Sequence, residues 1–131
     1  MKKKLKILIV RSLYNNTNNI LNTAINVLKK NNILIKIIEV PGAFEIPVMI
    51  SRNIKNFDGF IAVGSIIKGE TPNFNFISQS ITDGIMNLSI SSKKPIGNAI
   101  LTCNNNKQSM KRSNKGREAA IAVIDVLKCQ N

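Results

Sequence analysis

The chain has 131 residues, 44% of them hydrophobic and 20% charged, which suits one domain (residues 1–131) around a single core. No apolar run approaches the roughly 20 residues that a membrane-spanning helix needs. The formal charge is +12, from 19 basic and 7 acidic residues, and there is no histidine, which excludes histidine-based catalysis and histidine-ligated metals. The two cysteines, Cys103 and Cys129, make no disulfide framework, so a cytoplasmic protein is expected. Cys103 follows a predicted strand, but with no histidine to activate it we read it as a structural thiol. The lysines are scattered along the sequence and few aromatics interleave with them. The charge therefore argues against a nucleic-acid surface and for a locally positive site that takes an anionic substrate. A composition crowded with Asn, Ile and Lys supplies such charge without a polyanionic partner.

The start of the chain, basic and then apolar, loosely resembles a secretory leader. Its apolar stretch is too short and ends at Arg11 without a small-residue cleavage site, so we read it as a basic tail feeding a strand. Strand 1 is predicted over Leu5–Val10. Ile20, Leu21, Ala24, Val27 and Leu28 recur at helical spacing and give helix 1, stopped by Asn31-Asn32. Strand 2 covers Ile33–Val40. Pro41-Gly42-Ala43 turns into helix 2, with Ile46, Met49, Ile50 and Ile54 on one face. Strand 3 is Phe60–Ile67. Gly69-Glu70-Thr71-Pro72 opens helix 3, whose buried face is Ile77, Ile81, Ile85 and Leu88. Strand 4 runs from Pro95 to about Thr102, a short helix from Asn104 to Arg112, and a last helix from about Asn114, with Ala120, Val123, Ile124 and Leu127 inward. No repeat or linker interrupts this alternation, the sign of a parallel α/β sheet covered on both faces.

Ligands of such sheets sit beyond the carboxyl ends of the strands. Those ends carry Tyr14-Asn15, Pro41-Gly42-Ala43-Phe44-Glu45, Gly69-Glu70-Thr71 and Thr102-Cys103. Gly69 permits close backbone approach, and a helix opening at Pro72 would present free N–H groups to an anion such as phosphate. A simple capped turn has the same pattern. Arg112 and Lys115 add a bidentate fork and a point charge, or make an ordinary solvated basic patch. Glu45 complements a helix start or holds a polyol or amine beneath Phe44. Tyr14 offers a second aromatic face with a polar tip.

Three runs, taken together and in order, resemble the lumazine synthase family: Val40-Pro41-Gly42-Ala43-Phe44-Glu45-Ile46-Pro47, Gly64-Ser65-Ile66-Ile67-Lys68-Gly69-Glu70-Thr71-Pro72, and Asn114-Lys115-Gly116-Arg117-Glu118-Ala119-Ala120. Gln108 and Arg112 fit the helix before the third run. The resemblance covers nearly the whole chain. It implies a flavodoxin-like three-layer α/β/α sandwich with a four-stranded parallel sheet. It also implies a cofactor-free and metal-free enzyme of riboflavin biosynthesis that joins 5-amino-6-(ribitylamino)uracil to 3,4-dihydroxy-2-butanone 4-phosphate. By position, Tyr14 stands where an aromatic stacks on the pyrimidine, and Asn15 follows it as in the family. Ala43, Phe44, Glu45, Ile46, Ser65, Ile66, Ile67 and Asn98 stand at the ring and ribityl pocket, and Gly69, Glu70 and Thr71 at the phosphate loop. Arg112 and Lys115 match residues that reach the phosphate from a neighbouring subunit, and Glu118 matches an acidic partner of that arginine. The resemblance thus implies a homo-oligomer, a pentamer or a multiple of it, with sites at subunit interfaces.

Three departures stand out. The family's Thr-Pro-His-Phe run is here Thr71-Pro72-Asn73-Phe74, so the catalytic position holds a side chain that hydrogen-bonds but cannot relay a proton. Asn98 stands where many members place Phe. The loop between Arg112 and Asn114 lacks the insertion of many capsid-forming members, which points to a pentamer or decamer and not a sixty-subunit shell. A slower but real enzyme is expected. The rival readings are a degenerate relative that holds a lumazine or flavin without making it, and a basic nucleic-acid-binding domain; the latter leaves the three ordered runs unexplained.

Overall fold

The computed structural model describes residues 3–69 and 72–129, with only the backbone of residues 106, 109 and 110. Four strands, β1 (Lys6–Ser12), β2 (Leu34–Val40), β3 (Gly59–Ile67) and β4 (Ile96–Cys103), alternate with helices α1 (Asn18–Lys30), α2 (Ile46–Arg52), α3 (Phe74–Ser92), α4 (Asn106–Lys111) and α5 (Lys115–Lys128). A short 3₁₀ turn, Ala43–Glu45, precedes α2. All pairings are parallel and the order is β2-β1-β3-β4, so the flavodoxin-like α/β arrangement is observed.

The strand sequences explain this order. β3 is buried along its whole length, and Ile7 to Val10 of β1 are fully buried, as continuous apolar runs at the centre of a parallel sheet should be. β2, by contrast, is buried only at Val40 and leaves Leu34 and Ile37 exposed, as an edge strand. Side chains of opposite parity enter two separate cores. Ile7, Ile9, Ile61, Val63, Ala99 and Leu101 pack under α1 and α5. Leu8, Val10, Phe60, Ala62, Ile66 and Ile100 pack under α2 and α3. The chain moves outward from β1 to β2, then reverses past β1 to β3 and β4. With right-handed crossovers, that reversal sends α1 to one face and α2 and α3 to the other.

Several predicted boundaries shift, each for a local reason. β1 continues through Arg11 because the guanidinium meets Glu39 of β2 directly opposite in register, with Nε and Nη2 donating to Oε2 at 3.1 and 2.9 Å. The same guanidinium donates to Asn18 at the start of α1. α2 stops at Arg52 instead of reaching Ile54. Asn53 closes it, its side-chain amide donating to the Met49 carbonyl at 2.8 Å, and Ile54 packs from the following turn. α3 begins at Phe74, after Asn73 in the left-handed region (φ 60°, ψ 38°), so Pro72 does not occupy its first turn. The short helix α4 is trimmed at both ends relative to Asn104–Arg112.

Close packing of α5 depends on glycine. A Cβ on Gly116 would lie 2.0 Å from the Ile20 carbonyl oxygen and 2.5 Å from Thr23 Oγ1, so α1 and α5 touch backbone to backbone there. Thr23 reinforces the contact, its hydroxyl donating to the Ser113 carbonyl at 2.8 Å. Because backbone cannot yield as a flexible side chain can, Gly116→Ala should cost about 1–3 kcal/mol or more. A lower urea midpoint with an unchanged slope checks this; an unchanged midpoint would mean that the two helices separate freely.

Candidate active site

The carboxyl ends of β1 and β3 flank the point where the chain reverses direction, the usual crevice for a ligand in such a sheet. The loop after β1 is built across this crevice. It first extends the pairing with β2: Leu13 N donates to the Val40 carbonyl and Tyr14 N to the Pro41 carbonyl, both at 2.9 Å. Asn15 then enters the left-handed region (φ 67°), which asparagine tolerates better than most residues. Its side-chain amide donates to the Ser65 carbonyl of β3 at 2.9 Å. Asn15 is thus a strut from one side of the crevice to the other, and Tyr14 is held just before it. Thr17, buried, donates to the Ser12 carbonyl at 3.0 Å and closes the loop.

The 3₁₀ turn after β2 supplies the facing group. Glu45 Oε1 accepts the Gly42 N–H at 3.0 Å while the Glu45 N–H donates to the Gly42 carbonyl at 3.2 Å, a reciprocal cap that fixes the carboxylate. Its second oxygen is left for a hydroxyl or amine. Ala43 sits against the Gly64 backbone, where an added Cβ would come within 3.5 Å of the Ala43 Cβ and 3.0 Å of Ser12 Oγ. Tyr14 is 58% exposed and Phe44 63%, although the chain has only one Tyr and five Phe to spend. Two exposed aromatic rings at one rim of an otherwise well-filled core are surfaces for a planar ligand.

Other residues of the predicted set behave differently. Ile46, Ser65, Ile66 and Ile67 are buried, and Ile46 and Ile66 belong to the core beneath α2 and α3. Of these, Ser65 meets the loop after β1 through its carbonyl, which accepts the Asn15 amide. Gly69 takes φ +94° with nothing within 4 Å of an added Cβ, so its freedom serves the turn and not close packing. Glu70 and Thr71 lie outside the described residues. Asn73 is exposed at the start of α3, its carbonyl accepting the Ile77 N–H at 2.9 Å. The first free N–H groups of α3 therefore belong to residues 74–76, beyond the Gly69 turn.

A second cluster lies at the β4 edge. Asn98, Thr102, Arg112, Asn114, Lys115 and Glu118 help to line a hollow of about 400 Å³. Asn98 turns its Oδ1 back to accept the Ile100 N–H at 3.0 Å. Arg112 Nη1 lies 4.0 Å from Cys103 Sγ, and Cys103 itself is buried. Glu118 shares the hollow with Arg112 but makes no ion pair with it; among the described residues the ion pair formed is Arg11–Glu39. None of Tyr14, Asn15, Ala43, Phe44 or Glu45 lines this hollow, so the chain presents its aromatic rim and its cationic hollow separately. Among the described residues no group of His, Cys, Asp and Glu could hold a metal ion.

Three features lie outside the sequence reading. Phe76, in the first turn of α3, is the most exposed large apolar side chain described, at 74%. It falls off the Ile77–Ile81–Ile85 stripe, the signal that could have marked it. Asn114 lines the cationic hollow and was read only as part of a run. Ser12, fully buried at the end of β1, has a hydroxyl without a hydrogen-bond partner beside Gly64; nothing in a single serine after an apolar run announces that.

The family model described as 6,7-dimethyl-8-ribityllumazine synthase matches residues 4–131. A 6,7-dimethyl-8-ribityllumazine synthase of Buchnera aphidicola subsp. Baizongia pistaciae is 38% identical over 99% of this chain and 90% of its own length. Enzymes of the same name from Cutibacterium acnes and Corynebacterium kroppenstedtii are 40% and 36% identical over 70% and 69% of the chain, alignments that span 59% and 61% of those relatives. The match thus runs through the aromatic loop after β1, the capped glutamate turn and the Arg112–Lys115 hollow alike, and the chain belongs to the 6,7-dimethyl-8-ribityllumazine synthase family.

Proposed function

We propose that the protein condenses 5-amino-6-(ribitylamino)uracil with 3,4-dihydroxy-2-butanone 4-phosphate to give 6,7-dimethyl-8-ribityllumazine. The observation that carries this reading is the rim itself: two exposed aromatic rings beside a fixed carboxylate, held at the crevice by the Asn15 strut. The pyrimidine stacks on Tyr14 and Phe44, and the free oxygen of Glu45 accepts hydroxyls of the ribityl chain. The amine attacks the ketone carbon, and water leaves to give an imine. Phosphate is eliminated, and ring closure releases a second water.

Arg112 and Lys115 hold the phosphate, supported by the turn at Gly69, Glu70 and Thr71. The separation of the aromatic and cationic half-sites within one chain supports a homo-oligomer in which the hollow of one subunit faces the rim of the next. A pentamer or a multiple of it meets that requirement, and an isolated subunit would be inactive. Positioning of two reactants supplies roughly 7–11 kcal/mol of a barrier, whereas general acid–base help is worth about 10²–10⁴ in rate, roughly 3–5 kcal/mol. An amine and a ketone condense without strong activation, so Asn73 in place of the family histidine slows the enzyme and leaves it working. The departing phosphate or Glu70 takes the proton instead.

Three measurements test this. Mixing the assembled protein with both substrates should raise lumazine fluorescence above the spontaneous reaction, and Arg112→Ala should lower kcat/KM by roughly ten- to a hundredfold, about 1.5–3 kcal/mol for a charge-assisted contact. Absence of any enhancement over the spontaneous rate would leave a lumazine-binding protein without turnover. Asn73→His, at a left-handed position that histidine also tolerates, should raise kcat by about tenfold or more; no gain would count against a missing proton relay. Tyr14 is the single tyrosine of a chain without tryptophan. Its emission, corrected for ligand absorption, should therefore fall when the pyrimidine substrate stacks on it, and unchanged emission at saturation would remove Tyr14 from the ring site.

A further inference from the structure

Lysines that are far apart in sequence meet at the opposite end of the sheet. Lys3, Lys6, Lys36, Lys55 and Lys94 line one hollow of about 690 Å³ at the amino ends of the strands, with Asp58 as its single carboxylate. Five ammonium groups against one carboxylate leave a local formal charge of +4. Lys6 and Lys36 stand on the same sheet face, since Lys6 pairs with Leu34 and Leu8 with Lys36. Lys55 comes from the loop between α2 and β3, and Lys94 from the loop between α3 and β4. Lysines scattered along the sequence are thus gathered in space by two strands, two loops and the segment before β1.

The floor of the hollow is fixed. Asp58 Oδ2 accepts the Lys6 backbone N–H at 2.8 Å, and the Asp58 N–H donates to the Lys6 carbonyl at 2.9 Å. Lys94 Nζ donates to the Ile54 carbonyl at 2.7 Å. The one carboxylate is therefore committed to the backbone, and the remaining lysines share no acidic partner among the described residues. Like charges held in a concave surface repel, and an anion placed among them relieves that repulsion and gains charge-assisted hydrogen bonds. Asn53 and Asn56 add neutral amide groups to the wall. The lone aromatic of the lining, Phe57, is already packed edge-on against Phe60, with centroids 6.1 Å apart, so the hollow offers no free ring on which bases could stack.

We propose that this hollow binds a small anion carrying several closely spaced phosphate charges, at a site separate from the substrate rim. The test uses the full chain in its native assembly and inorganic tripolyphosphate as the probe, followed by calorimetry. Saturable binding at one per chain is expected, with inorganic monophosphate much weaker. Lys36→Ala with Lys55→Ala, both exposed positions, should weaken tripolyphosphate by about tenfold or more. Lys29→Ala with Lys128→Ala, which removes the same charge elsewhere, should change it little. Arg112→Ala should leave the isotherm intact, separating this site from the phosphate site of the reaction. Circular dichroism and gel filtration check that each variant keeps fold and assembly. Equal weakening by both lysine pairs, loss in Arg112→Ala, or no saturable binding would overturn the proposal. So would tighter binding of a short single-stranded RNA that survives Lys36→Ala with Lys55→Ala, the mark of a diffuse basic surface.

Discussion

The reversal of chain direction after β2 is the constraint on which the rest of the molecule depends. β1 and β3 become neighbours only because β2 takes the outer place on one side, and that choice buries both central strands on two faces. It also leaves their carboxyl ends without a connecting segment between them. Into that gap the chain sets a loop anchored to β2 by backbone and to β3 by one side-chain amide. Asn15 makes the bridge at modest cost because it tolerates a left-handed backbone while donating from its side chain. The rim is thereby tied to both strands that flank the gap.

The two ends of the sheet divide the chemistry. At the carboxyl end the aromatic rings, the capped Glu45 and the Arg112 hollow lie close to elements that fix them. At the amino end the charge is almost wholly of one sign and sits on strand starts and loops. A +12 chain could have spread its charge evenly. It gathers part of it instead in two hollows: one at the β4 edge with Arg112 and Lys115, and one at the amino ends of the strands with five lysines.

Much of this was legible in the sequence. The apolar runs of β1 and β3 and the helical spacing of Ile20, Ala24 and Leu28 are strong local signals, and the fold follows from them. The rim residues could be read because strand ends are where turn-forming and polar residues interrupt apolar runs. What could not be read was set by tertiary contacts. Arg11 looks like a strand terminator until Glu39 is placed opposite it. Ile54 continues the helical stripe of α2, yet Asn53 ends the helix by capping Met49. Pro72 looks like a first helical residue, but the left-handed turn at Asn73 delays α3. The buried roles of Ile46, Ile66 and Ile67 depend on which face of β3 meets α2, and the convergence of five lysines depends on the order of all four strands.

β2 has a consequence for how copies of the chain meet one another. Among the described residues no strand pairs with its outer edge, and Leu34 and Ile37 are exposed. Such an edge is a template on which another extended chain can add. Lys36 alternates with the apolar residues, and the large positive charge of the whole chain pushes copies apart at long range. Repulsion of this kind fades over a Debye length of about 8 Å at physiological salt, whereas strand pairing acts on contact. Charge, from Lys36 on the edge and from the chain as a whole, is therefore what opposes edge pairing between copies, and the ionic strength of the medium sets how far that opposition reaches.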